Sequence, residues 1–211
     1  MSYRCEATSL AGFVQQLACA YLRHGYVYFV RGEVPPGKDP RAVDTKLIGR
    51  YGIEVSKWQR TRRKRAGLAN LQYLRLERSF VLLATEGGHD FFAREQARLR
   101  DARRTPIRIG GYAVSIRNGH VHVRIDLETY RRVRAHFFEI AVHRQAPALA
   151  AEFYALPFEP YAPVRRQLLN LLRLVNKRRK VAGYRLLPHT VLHLRRRIVR
   201  PFEAVLDRRA A

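Results

Sequence analysis

The 211-residue sequence predicts an α+β fold: an antiparallel sheet with helices packed on one face, followed by a basic helical C-terminal extension. Three observations carry that expectation. Phe80-Val81-Leu82-Leu83-Ala84 is apolar on both faces and so belongs in the middle of a sheet. Two alternating runs, Tyr112–Arg117 and His120–Ile125, flank Asn118-Gly119, the signature of a hairpin with a type I′ turn. From Asp126 onward apolar residues recur at three- and four-residue spacing, which is helical.

Taken in order, residues 9–24 read as an amphipathic helix, with Leu10, Phe13, Val14, Leu17 and Tyr21 on one side and Gly25 to stop it. Tyr26-Val27-Tyr28-Phe29-Val30 is rich in strand formers. Asp39-Pro40 is an N-cap followed by proline at the first helical position, and Val43, Leu47, Ile48 and Tyr51 form the inner stripe of the helix it opens. Strands follow at Leu71–Leu76 and Phe80–Thr85, and Gly87-Gly88 is a turn. Residues 91–104 read as a short charged helix.

In the hairpin, a two-residue loop sets Arg117 opposite His120, Ser115 opposite His122 and Ala113 opposite Arg124 on a polar face. The pairs Ile116/Val121, Val114/Val123 and Tyr112/Ile125 then form the core face. Asp126 caps a helix through Ile140, and further helices are expected near 147–156, 162–180 and 188–199. The expected division is an α+β core over 1–145 and a basic helical extension over 146–211.

Charge narrows the partner. Lysine and arginine number 41 against 17 acids, a net charge of +24. A surplus of that size in a chain 47% apolar implies a folded protein that shares its surface with anions. Residues 57–65 hold six cations and no acid, and the last 51 residues carry half the net charge. The expected grip on phosphates therefore lies in Lys57, Arg60, Arg62, Arg63, Lys64 and Arg65, read as a loop around Trp58, and in the tail at Lys177, Arg178, Arg179, Lys180, Arg195, Arg196 and Arg197. Arg117 and Arg124 add to it from the hairpin. Trp58, the one tryptophan, either stacks on a base or anchors its segment in the core. The partner expected is nucleic acid, DNA favoured over RNA, with no membrane partner.

Two cysteines, Cys5 and Cys19, make no disulfide framework. The first residues lack the basic and apolar regions of a secretory signal, so a cytoplasmic protein is expected. Neither Gly87-Gly88 nor Gly110-Gly111 is followed by the Lys-Ser/Thr of a phosphate-binding loop, which argues against nucleotide hydrolysis.

His120-Val121-His122 places two imidazoles on one strand face, roughly 7 Å apart by strand rise, where they can share a divalent metal with a third group. The motif resembles the His-hydrophobe-His signature of the HUH endonucleases, the rolling-circle initiators, relaxases and single-strand transposases. The resemblance implies an Mg or Mn ion, a tyrosine attacking a DNA phosphate to form a phosphotyrosine, and a role in a mobile or replicating element. His89, Glu86 and Asp90 are the candidates for third ligand by position. Tyr184, Tyr154 and Tyr130, in that order, are candidates for the nucleophile.

The reading preferred on residues alone is nucleic-acid binding by a basic α+β protein. The HUH-like endonuclease and an RNA-binding protein or metal-independent ribonuclease stand as alternatives. A helix-turn-helix over 162–200, with Gly183 in the turn, is a competing DNA-binding arrangement. His189 with His193 and His136 with His143 share helical spacing, and are expected at surface and core-boundary positions.

Overall fold

The computed structural model describes residues 3–196 and 198–203. The chain is α+β, and it divides into two compact units. The first comprises residues 1–107, 114–122 and 199–211, and the second comprises 108–113 and 123–198.

The first unit is built on a five-stranded sheet. β1 (Glu6–Ala7), β2 (Tyr28–Glu33), β3 (Leu71–Leu76), β4 (Ser79–Ala84) and β5 (Arg100–Asp101) lie in the order β1-β3-β4-β2-β5. β4 is central, as its two-sided apolar sequence requires, and pairs antiparallel with β3 and β2. β1 runs parallel to β3, so the sheet is mixed. Phe80, Leu82 and Ala84 of β4 join Leu71, Tyr73 and Val30 in one core. α2 (Pro40–Arg50), capped by Asp39, sets Val43, Leu47 and Ile48 against that core. Phe29, Leu74, Val81 and Leu83 point to the other face, where α1 (Leu10–Gln15) lies on β3.

That core also contains a charged pair that patterning does not reveal. Arg75 of β3 is 2% exposed and donates from Nε to Asp44 Oδ1 at 2.8 Å and from Nη2 to Asp44 Oδ2 at 2.9 Å. Tyr73 Oη donates to the same carboxylate at 2.6 Å. Burial alone would lower the guanidinium's pKa; the hydrogen bonds and charge of Asp44, with Glu6, overcome it and hold the pKa above its ordinary value.

Several elements differ from expectation. The helix over 9–24 changes winding: after α1 come a π turn over Gln16–Tyr21 and a 3-10 turn over Leu22–His24. The wider turn re-phases the run so that Leu17, Ala18, Tyr21 and Leu22 are all buried. The charged helix over 91–104 shrinks to α4 (Asp90–Arg94), because Glu95 turns into the core and accepts from Tyr51 Oη at 2.5 Å.

β6 (Ile107–Ile109), β7 (Tyr112–Arg117) and β8 (His120–Ile125) form a second, three-stranded sheet. The hairpin turn is as expected: Asn118 and Gly119 have φ of 48° and 75°, the positive values of a type I′ turn. The polar face is not solvated along its length, however. Ala113 and Ser115 are buried, His122 and Arg124 are half-buried, and only the turn end with Arg117 and His120 is open.

The second unit packs α5 (Leu127–Ile140), α6 (Ala146–Tyr154) and α7 (Ala162–Val181). Phe137 and Phe153 face one another at 4.2 Å, and Leu168, Leu171, Leu172 and Val175 form the inner stripe of α7. Tyr130 Oη donates to Gln167 O, and Arg179 Nη1 to Ala141 O, so α5 and α7 are bound into one body. The division therefore does not fall at 145/146. The helix expected over 188–199 is a single 3-10 turn, His189–Val191, since Asn176 takes both the N–H and the carbonyl of Leu187 just before Pro188. Without that second helix no helix-turn-helix forms among the described residues. No described helix is long and apolar enough to cross a membrane.

Candidate nucleic-acid interface

The run 57–65 is a helix, not a loop: α3 spans Lys57–Arg65. Six like charges in nine residues disfavour a helix on their own, notably Arg60 and Lys64 at i,i+4. Local chemistry offsets this at both ends. Ser56 Oγ accepts from Gln59 N–H at 3.2 Å while Gln59 Oε1 accepts from Ser56 N–H at 2.7 Å, a capping box. At the other end Leu68 N–H donates to Arg63 O at 2.9 Å and Gly67 N–H to Lys64 O at 3.2 Å, the Schellman pattern with Gly67 at positive φ. Four cations in the last turn also suit the negative end of the helix dipole.

Helical spacing sorts the cations. Arg60 Nη1 donates to Val55 O at 2.7 Å and Arg63 Nη1 to Gly52 O at 3.0 Å, so these two half-buried arginines anchor the helix. Lys57, Arg62, Lys64 and Arg65 are exposed, and none has a side-chain hydrogen bond or ion pair among the described residues. Trp58 is 78% exposed, which removes the core-anchor reading. With Arg62 and Arg65 it forms an outward stripe at i, i+4 and i+7.

The inward stripe of α3, Lys57, Arg60, Thr61 and Lys64, forms one side of a cleft of about 500 Å³. His24, Tyr26, Val27, Asn70, Thr85 and Glu86 form the rest. The loop after α3 is seated by a close approach at Gly87, where a Cβ would meet Ala69 N at 2.6 Å and Gly67 O at 2.7 Å. Gly88 N–H then donates to Gly67 O, and Ala69 N–H to Gly88 O. Asn70 Nδ2 donates to Arg60 O at 3.0 Å, tying the β3 entry to α3. Its Oδ1 is buried with no hydrogen-bond partner. Beside the cleft, Arg103 bridges Glu86 at 2.8 Å and Asp101, and Arg100 and Arg104 are exposed around a second hollow at β5. Arg100, Arg103 and Arg104 are not among the expected contacts: the run 94–104 holds five arginines, but Glu95 and Asp101 break it up and it reads as a charged helix.

The tail behaves less uniformly than its charge. Arg179 is 1% exposed and donates to the carbonyls of Arg185, Ala141 and Arg144, so it is a structural clamp and not a phosphate contact. Arg178 lies over the Phe138 ring and donates to Phe138 O, whereas Lys177 and Lys180 are exposed. Arg195 and Arg196 are exposed, Arg196 over Tyr161, and Arg197 lies outside the described residues. Arg117 is exposed at the hairpin turn; Arg124 is half-buried, its Nε without a partner.

The expected metal set is not assembled. Among the described residues no three His, Cys, Asp or Glu side chains are grouped to hold a metal ion. His89 instead caps α4, its Nδ1 accepting from Phe91 N–H at 3.0 Å. Burial, then the Arg63 charge, lowers its pKa. His120 is exposed and His122 half-buried. Of the expected nucleophiles, all in the second unit, Tyr130 Oη is engaged by Gln167 and its pKa is raised by burial. Tyr154 is exposed with its ring edge-on to His193, and the exposed Tyr184 lies under Arg179. His136 pairs with Glu152 at 2.9 Å on the surface of the second unit.

The chain matches no protein-family model and no curated protein sequence.

Proposed function

We propose that this protein binds nucleic acid, gripping a single-stranded segment with α3 and the cleft beneath it. The observation that carries the reading is a capped, solvent-exposed helix bearing six cations, no acid and an open tryptophan. Phosphates bind the exposed cations through charge, which is sequence-independent. The indole face offers a stacking platform, which an unpaired base can use and a paired one cannot. Binding, not strand cleavage, is the activity proposed.

Trp58 is the chain's one tryptophan, so its fluorescence reports on α3 alone. Titration with a labelled oligonucleotide is expected to quench that emission in step with the rise in label anisotropy. Single-stranded DNA, single-stranded RNA and duplex DNA are to be compared between about 50 and 200 mM salt, over which several phosphate contacts produce a steep loss of affinity. Binding that leaves the indole emission unchanged, or that is insensitive to salt, refutes the proposal.

A further inference from the structure

The cleft under α3 is more than a trough of positive charge, because its cations and its acceptors occupy different places. Lys57, Arg60 and Lys64 come from the helix, while Asn70 and Glu86 come from the ends of β3 and β4. The Asn70 amide has a defined orientation: Nδ2 is committed to Arg60 O at 3.0 Å, and reversing the amide would set two oxygens against each other. Oδ1 is thus an acceptor without a donor and closed to solvent, so a ligand meets it only by displacing the side chains at the rim. A buried acceptor without a partner is costly, and a donor supplied by a ligand recovers that cost. Glu86, a second group that only accepts, is held by Arg103 at 2.8 Å.

Resting on the reading of α3 as a nucleic-acid grip, we propose that this cleft receives one unstacked nucleobase bearing an exocyclic amino group. Its flanking phosphates lie on Lys57 and Lys64, and its amino edge donates to Asn70 Oδ1 and Glu86. The volume, about 500 Å³, falls in the range of small-molecule sites, roughly 300–1,000 Å³. The lysines at the rim are long and rotamer-rich, so the opening adjusts to a base entering edge first. Trp58 faces a different side of the same helix and stacks on a neighbouring base, so the two contacts do not compete.

Cytosine and thymine make the sharpest comparison. They have the same ring size, but cytosine presents an amino donor where thymine presents a carbonyl acceptor. Thymine in the cleft would bring a third acceptor against two. The 211-residue chain is titrated at one salt concentration with twelve-nucleotide oligo(dC) and oligo(dT), following label anisotropy and Trp58 emission together. Oligo(dC) is expected to bind about tenfold more tightly, the discrimination of a well-placed base-edge contact. Glu86→Gln, at an exposed position, and Asn70→Ala are each expected to shrink that ratio towards one, with helix content checked by circular dichroism.

Equal, salt-dependent, Trp58-quenching affinity for both oligonucleotides overturns the base pocket and leaves the grip standing. A preference for oligo(dC) that survives both substitutions also overturns it, since the base is then read elsewhere. Failure of both oligonucleotides to bind defeats the grip itself and the pocket with it.

Discussion

Replacing Lys57, Arg62, Lys64 and Arg65 together by glutamine removes the four exposed cations of α3 and spares Arg60 and Arg63, which hold it in place. The capping box and the Schellman turn are untouched, and like-charge crowding along the helix is relieved, so thermal stability is expected to hold or rise. Each single-strand phosphate neutralised contributes about 0.7 to the slope of log affinity against log salt, so losing four contacts flattens the slope by about 3. Extrapolated to 1 M salt the affinities converge; at 0.1 M the variant is weaker by a factor on the order of 600. The assay is fluorescence anisotropy with a labelled single strand across that salt range, with the melting temperature as control. An unchanged slope in a folded variant places the phosphates elsewhere and refutes the assignment of α3.

Three further outcomes are expected. Asp44→Ala leaves the buried Arg75 guanidinium without its main partner, and urea denaturation should show a loss of about 3–5 kcal/mol. Arg179→Met strips three carbonyls of their donor and should cost roughly 2–4 kcal/mol by the same measurement, while leaving the salt slope of binding unaltered. Alkaline pH should destabilise the fold. Burial, then the neighbouring Asp44 carboxylate, pushes the Cys5 thiol up to about 12, and burial likewise raises Tyr3, Tyr73 and Tyr112. The folded state keeps these protons after the unfolded chain has released them. Their stabilisation is complete below the ordinary thiol value near 9 and is lost as pH climbs towards 12, which tyrosinate absorbance and melts at stepped pH would follow. Ordinary tyrosine ionisation near pH 10 with no loss of stability would contradict it.

The elements legible in the sequence are those whose signal is local. Asp39-Pro40 opens α2, Asn118-Gly119 turns the hairpin, and the apolar run of β4 lies mid-sheet, because capping, positive φ and two-sided burial each leave their mark within a few residues. The helix at 57–65 was within reach too: Ser56-Lys57-Trp58-Gln59 has capping-box spacing, and the density of charge obscured it. The run at 188–199 has helical periodicity, yet its described residues hold only the 3-10 turn His189–Val191; Asn176, twelve residues before Pro188, holds the Leu187 backbone at its entry.

By itself the sequence determined that the chain folds as α+β and carries a large positive charge concentrated in two stretches, since both depend on composition and near-neighbour pattern. Which charges face outward was decided only in three dimensions. Arg60, Arg63, Arg75 and Arg179 are spent on backbone carbonyls and on Asp44, while Lys57, Arg62, Lys64 and Arg65 are exposed with no side-chain partner among the described residues. A guanidinium has the same charge in either role. What separates the roles is whether the folded backbone, five residues away for Arg60 or 38 for Arg179, brings an acceptor within 3 Å or so, and that is decided by the packing. The same holds for the cleft: Asn70 and Glu86 mean nothing beside Lys57 in the sequence, and line one hollow because β3 begins and β4 ends beside α3.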